Sequence, residues 1–183
     1  MENTVKIPTF LHEVHGKQSN WYDIITTHVL ALLTVGAIVF LASDLDLAPW
    51  KKWVLIALAY DLGGGVLANF TYATKQFYRV EKRRIVFLSI HFLQPLFMCL
   101  VFPEHLVGIA IFSSFTVFSS FMINAIKNPK KQLATGAFTA LSGIIALYIV
   151  PFEWNLPLLL LLILFLLKLP LSFSVRWYSL NKN

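Results

Sequence analysis

Six apolar stretches of close to 20 residues occupy most of this chain: Trp21 to Ser43, Trp53 to Tyr72, Ile85 to Phe102, Leu106 to Ile126, Leu133 to Phe152 and Leu156 to Trp177. A bilayer core of about 30 Å is crossed by roughly 20 residues of helix. Only helices and closed barrels satisfy their own backbone in hydrocarbon. Leu158 through Ile163 consists of leucine and isoleucine alone. The expected fold is therefore all-α, a polytopic membrane helix bundle with six transmembrane helices. Only Pro103-Glu104-His105 separates the third and fourth stretches, which predicts antiparallel neighbours. Composition agrees: 57% hydrophobic and 13% charged residues leave too little polar surface to cover a water-soluble globule of 183 residues. That length suits one bundle without a separate soluble catalytic domain. The single cysteine, Cys99, excludes a disulfide framework or a multi-cysteine metal site within one chain.

Residues 1–20 read as a cytoplasmic or interfacial segment, 21–178 as the membrane domain and 179–183 as a short cytoplasmic tail. The first twenty residues contain Glu2, Lys6, Glu13 and Lys17 and no apolar core, unlike a cleavable signal peptide. The first helix is expected to act as its own insertion signal. Thr9 to Asn20 reads either as a short helix on the inner leaflet or as a plain leader.

Lysine and arginine set the expected orientation. Twelve of them fall on one side, in the leader, the second-to-third loop, the fourth-to-fifth loop and the tail. Only Lys51 and Lys52 fall opposite, and Lys168 lies within the sixth helix. The positive-inside rule then makes both termini cytoplasmic, and it accounts for the net charge of +6 without nucleic acid. Trp21, Trp50, Trp53, Trp154 and Trp177 sit near span ends, where indole rings favour the headgroup region. Asn69-Phe70-Thr71 matches a glycosylation sequon, but at the cytoplasmic end of a span, where no glycan is attached.

A charged group in hydrocarbon costs roughly 2.5 to 3.5 kcal/mol on insertion scales and needs a partner or a purpose. Asp61, His28, His91 and Lys168 all lie within spans at similar depth, as one polar chamber would require. Small or polar stripes point the same way: Asp61, Gly65 and Ala68 on the second helix; His91 and Pro95, with Gln94 beside them, on the third; Ser113, Thr116, Ser120 and Asn124 on the fourth; and Thr135, Thr139 and Ser142 on the fifth. Lys168 also has a stem long enough to snorkel or to pair. Gly63-Gly64-Gly65 directly follows the carboxylate, at about 1 kcal/mol per glycine relative to alanine. It predicts either a broken helix or a notch for a closely packed neighbour.

Splitting the chain after the third helix gives two inverted three-helix halves. The last helix of each carries a polar residue shortly before a proline, His91 to Gln94 before Pro95 and Lys168 before Pro170, as interrupted transporter helices do. The first functional expectation is a small-solute or ion transporter whose site opens to the cytoplasm. Asp61 is its protonatable group, His91 and His28 relay protons or touch substrate, Gln94 and Asn69 orient the ligand, and Lys168 moderates the charge. The second is an intramembrane enzyme acting on a lipid or other apolar substrate, with Asp61 and His91 as acid and base, or a metal held with His28 and the leader's His12 and His15. A bis-histidine haem on His28 and His91 is a variant of it. The third is a structural membrane subunit. The bilayer, a small solute, ion or lipid, and a second copy of the chain are the partners these readings imply.

Overall fold

A computed structural model describes residues 4–176; Trp177, Tyr178 and the expected tail 179–183 lie outside the described residues. The leader folds as β1 (Thr4–Lys6), a 3-10 turn (Thr9–Leu11), α1 (His12–His15) and β2 (Gln18–Asn20). β1 and β2 pair antiparallel, with Thr4 opposite Asn20 and Lys6 opposite Gln18. Neither expectation for this segment included strands, because three residues are too few to show an alternating pattern. Gly16 ends α1 at φ +68°, and a Cβ there would strike the backbone of Ala73. Glycine thus serves both the left-handed turn and a close approach.

Asn20 closes β2 and caps α2 (Trp21–Leu41), its side chain accepting the Asp23 N–H at 2.7 Å. After α2 come α3 (Pro49–Ala68), α4 (Tyr72–Phe77), α5 (Glu81–Ile90), α6 (Leu93–Val101), α7 (Leu106–Ala125), α8 (Pro129–Ile149) and α9 (Leu156–Leu166), which continues as a π-helix over Leu167–Phe173. Asn128 and Asn155 cap α8 and α9 through side-chain oxygens, each followed by a proline in the first turn.

Among the described residues, five helical segments are long and apolar enough to cross a membrane: Trp21–Leu41, Glu81–Val101, Pro103–Ala125, Pro129–Ile149 and Leu156–Phe173. The chain is an all-α integral membrane protein on that ground. The expected span Trp53 to Tyr72 is not among these five: α3, which holds most of it, has the length, at 20 residues, but carries Lys51, Lys52 and Asp61. It packs antiparallel along α2, with Gly63 against Thr34 and Gly64 against Ala31 and Thr27.

Polar stripes turn inward, into an interior that is otherwise largely apolar. On α7, Phe118 and Met122 are exposed while Ser113, Thr116, Ser120 and Asn124 are buried. Ser113 Oγ is buried without a partner, but the other two hydroxyls bond to their own helix: Thr116 donates to Phe112 O at 2.7 Å and Ser120 to Thr116 O at 2.6 Å. They therefore cost little in a dry interior and let helices approach closely.

The expected break at Gly63, Gly64 and Gly65 is absent, and α3 runs through them without interruption. The physical reason is packing: a Cβ at each would meet Thr34, Ala31 or Lys168 in turn. Interruptions fall elsewhere. His91 and Phe92 form a turn between α5 and α6, where Pro95 supplies no N–H and its ring crowds the His91 carbonyl one turn back. The second is the π-helical end around Pro170, where the Ser174 N–H reaches back five residues to Leu169 O at 2.9 Å.

Buried cations take the carbonyls at the end of this helix. Lys75 Nζ donates to the carbonyls of Ser172, Phe173 and Val175 at 2.5, 2.7 and 2.6 Å. Arg84 Nη2 donates to Phe173 O and Ser174 O at 3.1 and 2.9 Å, and its Nε to Asn124 Oδ1. Positive charge at a helix C-terminus also complements the dipole. Burial, and then Arg84 and Arg176, push the Lys75 pKa below the ordinary lysine value. The three carbonyls oppose this by accepting all three N–H bonds of the ammonium. Lys75→Met, which removes this donor from Ser172 O and Val175 O and leaves Phe173 O to Arg84, is expected to destabilise the fold by about 3 kcal/mol, read as a lower denaturation midpoint in detergent. Lys75→Arg should recover part of the loss.

Candidate functional site

Asp61 sits mid-way along α3, and its carboxylate is met from two directions. From the π-helical end, Lys168 Nζ lies 2.8 Å from Asp61 Oδ2 and 3.3 Å from the Asp61 backbone carbonyl. Lys168 is 2% exposed, so its charge has no route to water along its own stem. It pairs and does not snorkel. From α6, the Gln94 side-chain amide donates to the same Oδ2. Gly65, one turn beyond Asp61, makes the ion pair sterically feasible, because a side chain there would occupy the path of the Lys168 stem.

The pair lines a cavity of about 260 Å³ between α3 and the interrupted α5–α6 helix. His91 and Asn69 line it too, with Phe87, Ile90 and Leu93 as the apolar wall. The Asp61 side chain is 56% exposed, so the carboxylate opens onto this space. His91 Nδ1 donates to the Phe87 carbonyl at 2.7 Å, since a carbonyl only accepts. In that tautomer Nε2 is an acceptor. Two further polar atoms are buried without partners: Asn69 Nδ2 and Gln94 Oε1.

Six of the expected site residues, Asp61, Gly65, His91, Gln94, Asn69 and Lys168, thus line one cavity. His28 does not line it. Its Nε2 lies 3.2 Å from His15 Nε2 and its Nδ1 2.6 Å from the Tyr60 hydroxyl. Gly63 and Gly64 face α2, and only Gly65 reaches the ion pair. A haem between His28 and His91 would have to break one of the two His28 contacts. His12 Nε2 donates to Ile7 O at 2.8 Å, which ties it to the leader instead of to an ion. Among the described residues, no group of three or more His, Cys, Asp and Glu side chains is placed to hold a metal.

Sequence reasoning missed the leader's share. Glu13 and Val14 border the cavity from α1, and Thr74 on α4 anchors Val14 by donating to its carbonyl. No local pattern marks these residues, because the hairpin alone carries them to the bundle. His15 is 2% exposed with Nδ1 unpartnered. Burial, and then the neighbouring His28, lower its pKa from the ordinary 6.5.

A histidine held neutral when docked takes up its proton on release, so docking is at full strength above the free-histidine pKa and weakens as pH falls through 6.5 toward the lower docked value. Protection factors for hydrogen exchange over residues 4–20, each referred to the intrinsic rate at the same pH, are therefore expected to be several-fold lower near pH 5.5 than at pH 7.5. His15→Gln should flatten that dependence, and an unchanged profile would remove His15 as its origin.

Compared with known proteins, the chain matches no protein family, no curated protein and no solved structure, so the cavity itself is the guide to function.

Proposed function

We propose that this protein is a proton-coupled transporter of a small solute, with Asp61 as the group that gains and loses the proton. The reading is supported above all by the ion pair of Asp61 with Lys168 in an open cavity between helices. Two charges in hydrocarbon are expensive and weak evidence of stability. A pair that can be broken by one proton is useful when it must open and close.

In this reading, protonation of Asp61 cancels its charge and releases the Lys168 ammonium and the Gln94 amide from Oδ2. Lys168 sits on a π-helical segment and Gln94 follows the His91–Phe92 turn, so both partners of Asp61 stand on interrupted helices. Such segments give up few backbone hydrogen bonds when they shift. We assign α3 as the sixth span, the leader side as cytoplasmic, and the polar stretches before Pro95 and Pro170 as matching positions of two inverted halves. The leader's Glu13 and Val14 border the cavity, which makes the cytoplasmic side its nearer opening. A lipid-modifying enzyme is the second reading, favoured by the lipid-exposed Ile90 and Leu93 at the cavity edge, with Asp61 and His91 as acid and base.

Purified protein in proteoliposomes containing an internal pH dye, with an imposed potassium–valinomycin potential, tests the transport reading. Wild type is expected to carry proton flux well above empty vesicles, and Asp61→Asn to fall to the vesicle baseline. Flux equal to baseline in wild type, or flux retained by Asp61→Asn, would remove proton coupling from this site.

A further inference from the structure

Asp61 and Lys168 neutralise each other, so the deep part of the cavity presents no net charge to an occupant. The remaining charged group at its border is Glu13, which is exposed. Glu13 also borders an adjoining groove of about 330 Å³ that is lined by Lys82 and Arg83. An ion entering the deep cavity would trade hydration for a neutral, largely apolar surrounding, which is unfavourable without a countercharge.

The cavity nevertheless holds unspent hydrogen-bonding capacity. Asn69 Nδ2 is a buried donor without a partner, on a residue 2% exposed. Gln94 Oε1 is a buried acceptor without a partner, on a residue 9% exposed. His91 Nε2 adds a second acceptor. Each orphaned atom costs free energy unless an occupant meets it. An occupant that answers them carries both an acceptor and a donor, as a hydroxyl beside a carbonyl, or an amide, does.

The flank of the cavity is apolar and faces outward. Ile90 and Leu93 are 55% and 51% exposed, on a segment that spans the bilayer, so they stand where acyl chains would lie. They join the outer surface to the cavity wall.

We propose that this cavity takes an uncharged amphiphile of the monoacylglycerol or fatty-amide type, head against Asn69, Gln94 and His91, apolar body leaving sideways past Ile90 and Leu93. The inference rests on the reading of the Asp61 cavity as a ligand site and names its substrate class.

The test uses the full chain in phosphatidylcholine nanodiscs with a 1-acylglycerol bearing a diazirine on its acyl chain, crosslinks being mapped by peptide mass spectrometry. Labelling is expected to concentrate on residues 61–69 and 87–94. Unlabelled 1-octanoylglycerol should compete at least tenfold better than octanoate or octylammonium. Asn69→Leu, which leaves the Asp61–Lys168 pair in place, should reduce labelling about fivefold, the worth of one hydrogen bond. Ile90→Trp changes only a lipid-exposed position and should block the mouth, which keeps the test decisive if Asn69→Leu does not fold. Equal competition by the charged probes, labelling spread over the outer face of α2, or labelling unchanged in Ile90→Trp would overturn the proposal. Labelling without proton flux retires the transport reading and retains this one; flux without labelling does the reverse.

Discussion

A charge within a bilayer-spanning helix has to be answered by the protein, because no solvent is present to do so. In this chain that constraint converges on Lys168. Its stem is buried, its ammonium reaches Asp61 Oδ2 at 2.8 Å, and Gly65 leaves the room it needs to cross α3. Much else in the bundle serves to hold these two side chains at that separation. α3 lies close against α2 because Gly63 and Gly64 admit Thr34 and Ala31, and the last helix is held at its C-terminus.

That C-terminus is where the local backbone and the wider charge network meet. The π-helical segment ends at Phe173, so the carbonyls of residues 172–175 lie at the C-terminal end of the last helix. Lys75 and Arg84, from two other elements, donate to them, and Arg84 in turn is tied through Asn124 to Glu81, which accepts from Arg176. Two basic residues that read as ordinary positive-inside loop charges are thus buried. They fasten α4 and α5 to the end of the last helix, and so fix the level at which Lys168 projects.

The bundle and most of the cavity were legible in the sequence for one reason: hydropathy and helical periodicity are local properties. Five of the six apolar runs marked candidate spans to within a few residues, and the stripe of Ser113, Thr116, Ser120 and Asn124 marked a buried face that is indeed buried. Asp61, His91, Gln94 and Lys168 stood out because ionisable or amide groups are rare in such runs. The glycine triplet was ambiguous, since weakening a helix and admitting a neighbour require the same residues. His28 was grouped with the others by depth alone, and depth carries no information about which way a side chain faces. The leader escaped because its strands are three residues long and its anchor, Thr74, is far away in sequence.

The sequence by itself determined that this chain belongs in a membrane, that it is helical, and which polar residues interrupt its apolar runs, because the cost of exposing or burying each residue type is set by its own chemistry. Only the tertiary structure decided which of those residues share a space. Asp61 and Lys168 are 107 positions apart, and their meeting depends on how α3, the α5–α6 turn and the π-helical end pack together. It also decided that His28 joins His15 and Tyr60, that Lys75 caps a distant helix, and that Asn69 and Gln94 are left with unmet hydrogen bonds. Pairing of this kind is a property of helix rotation and packing, which hydropathy along a chain does not encode.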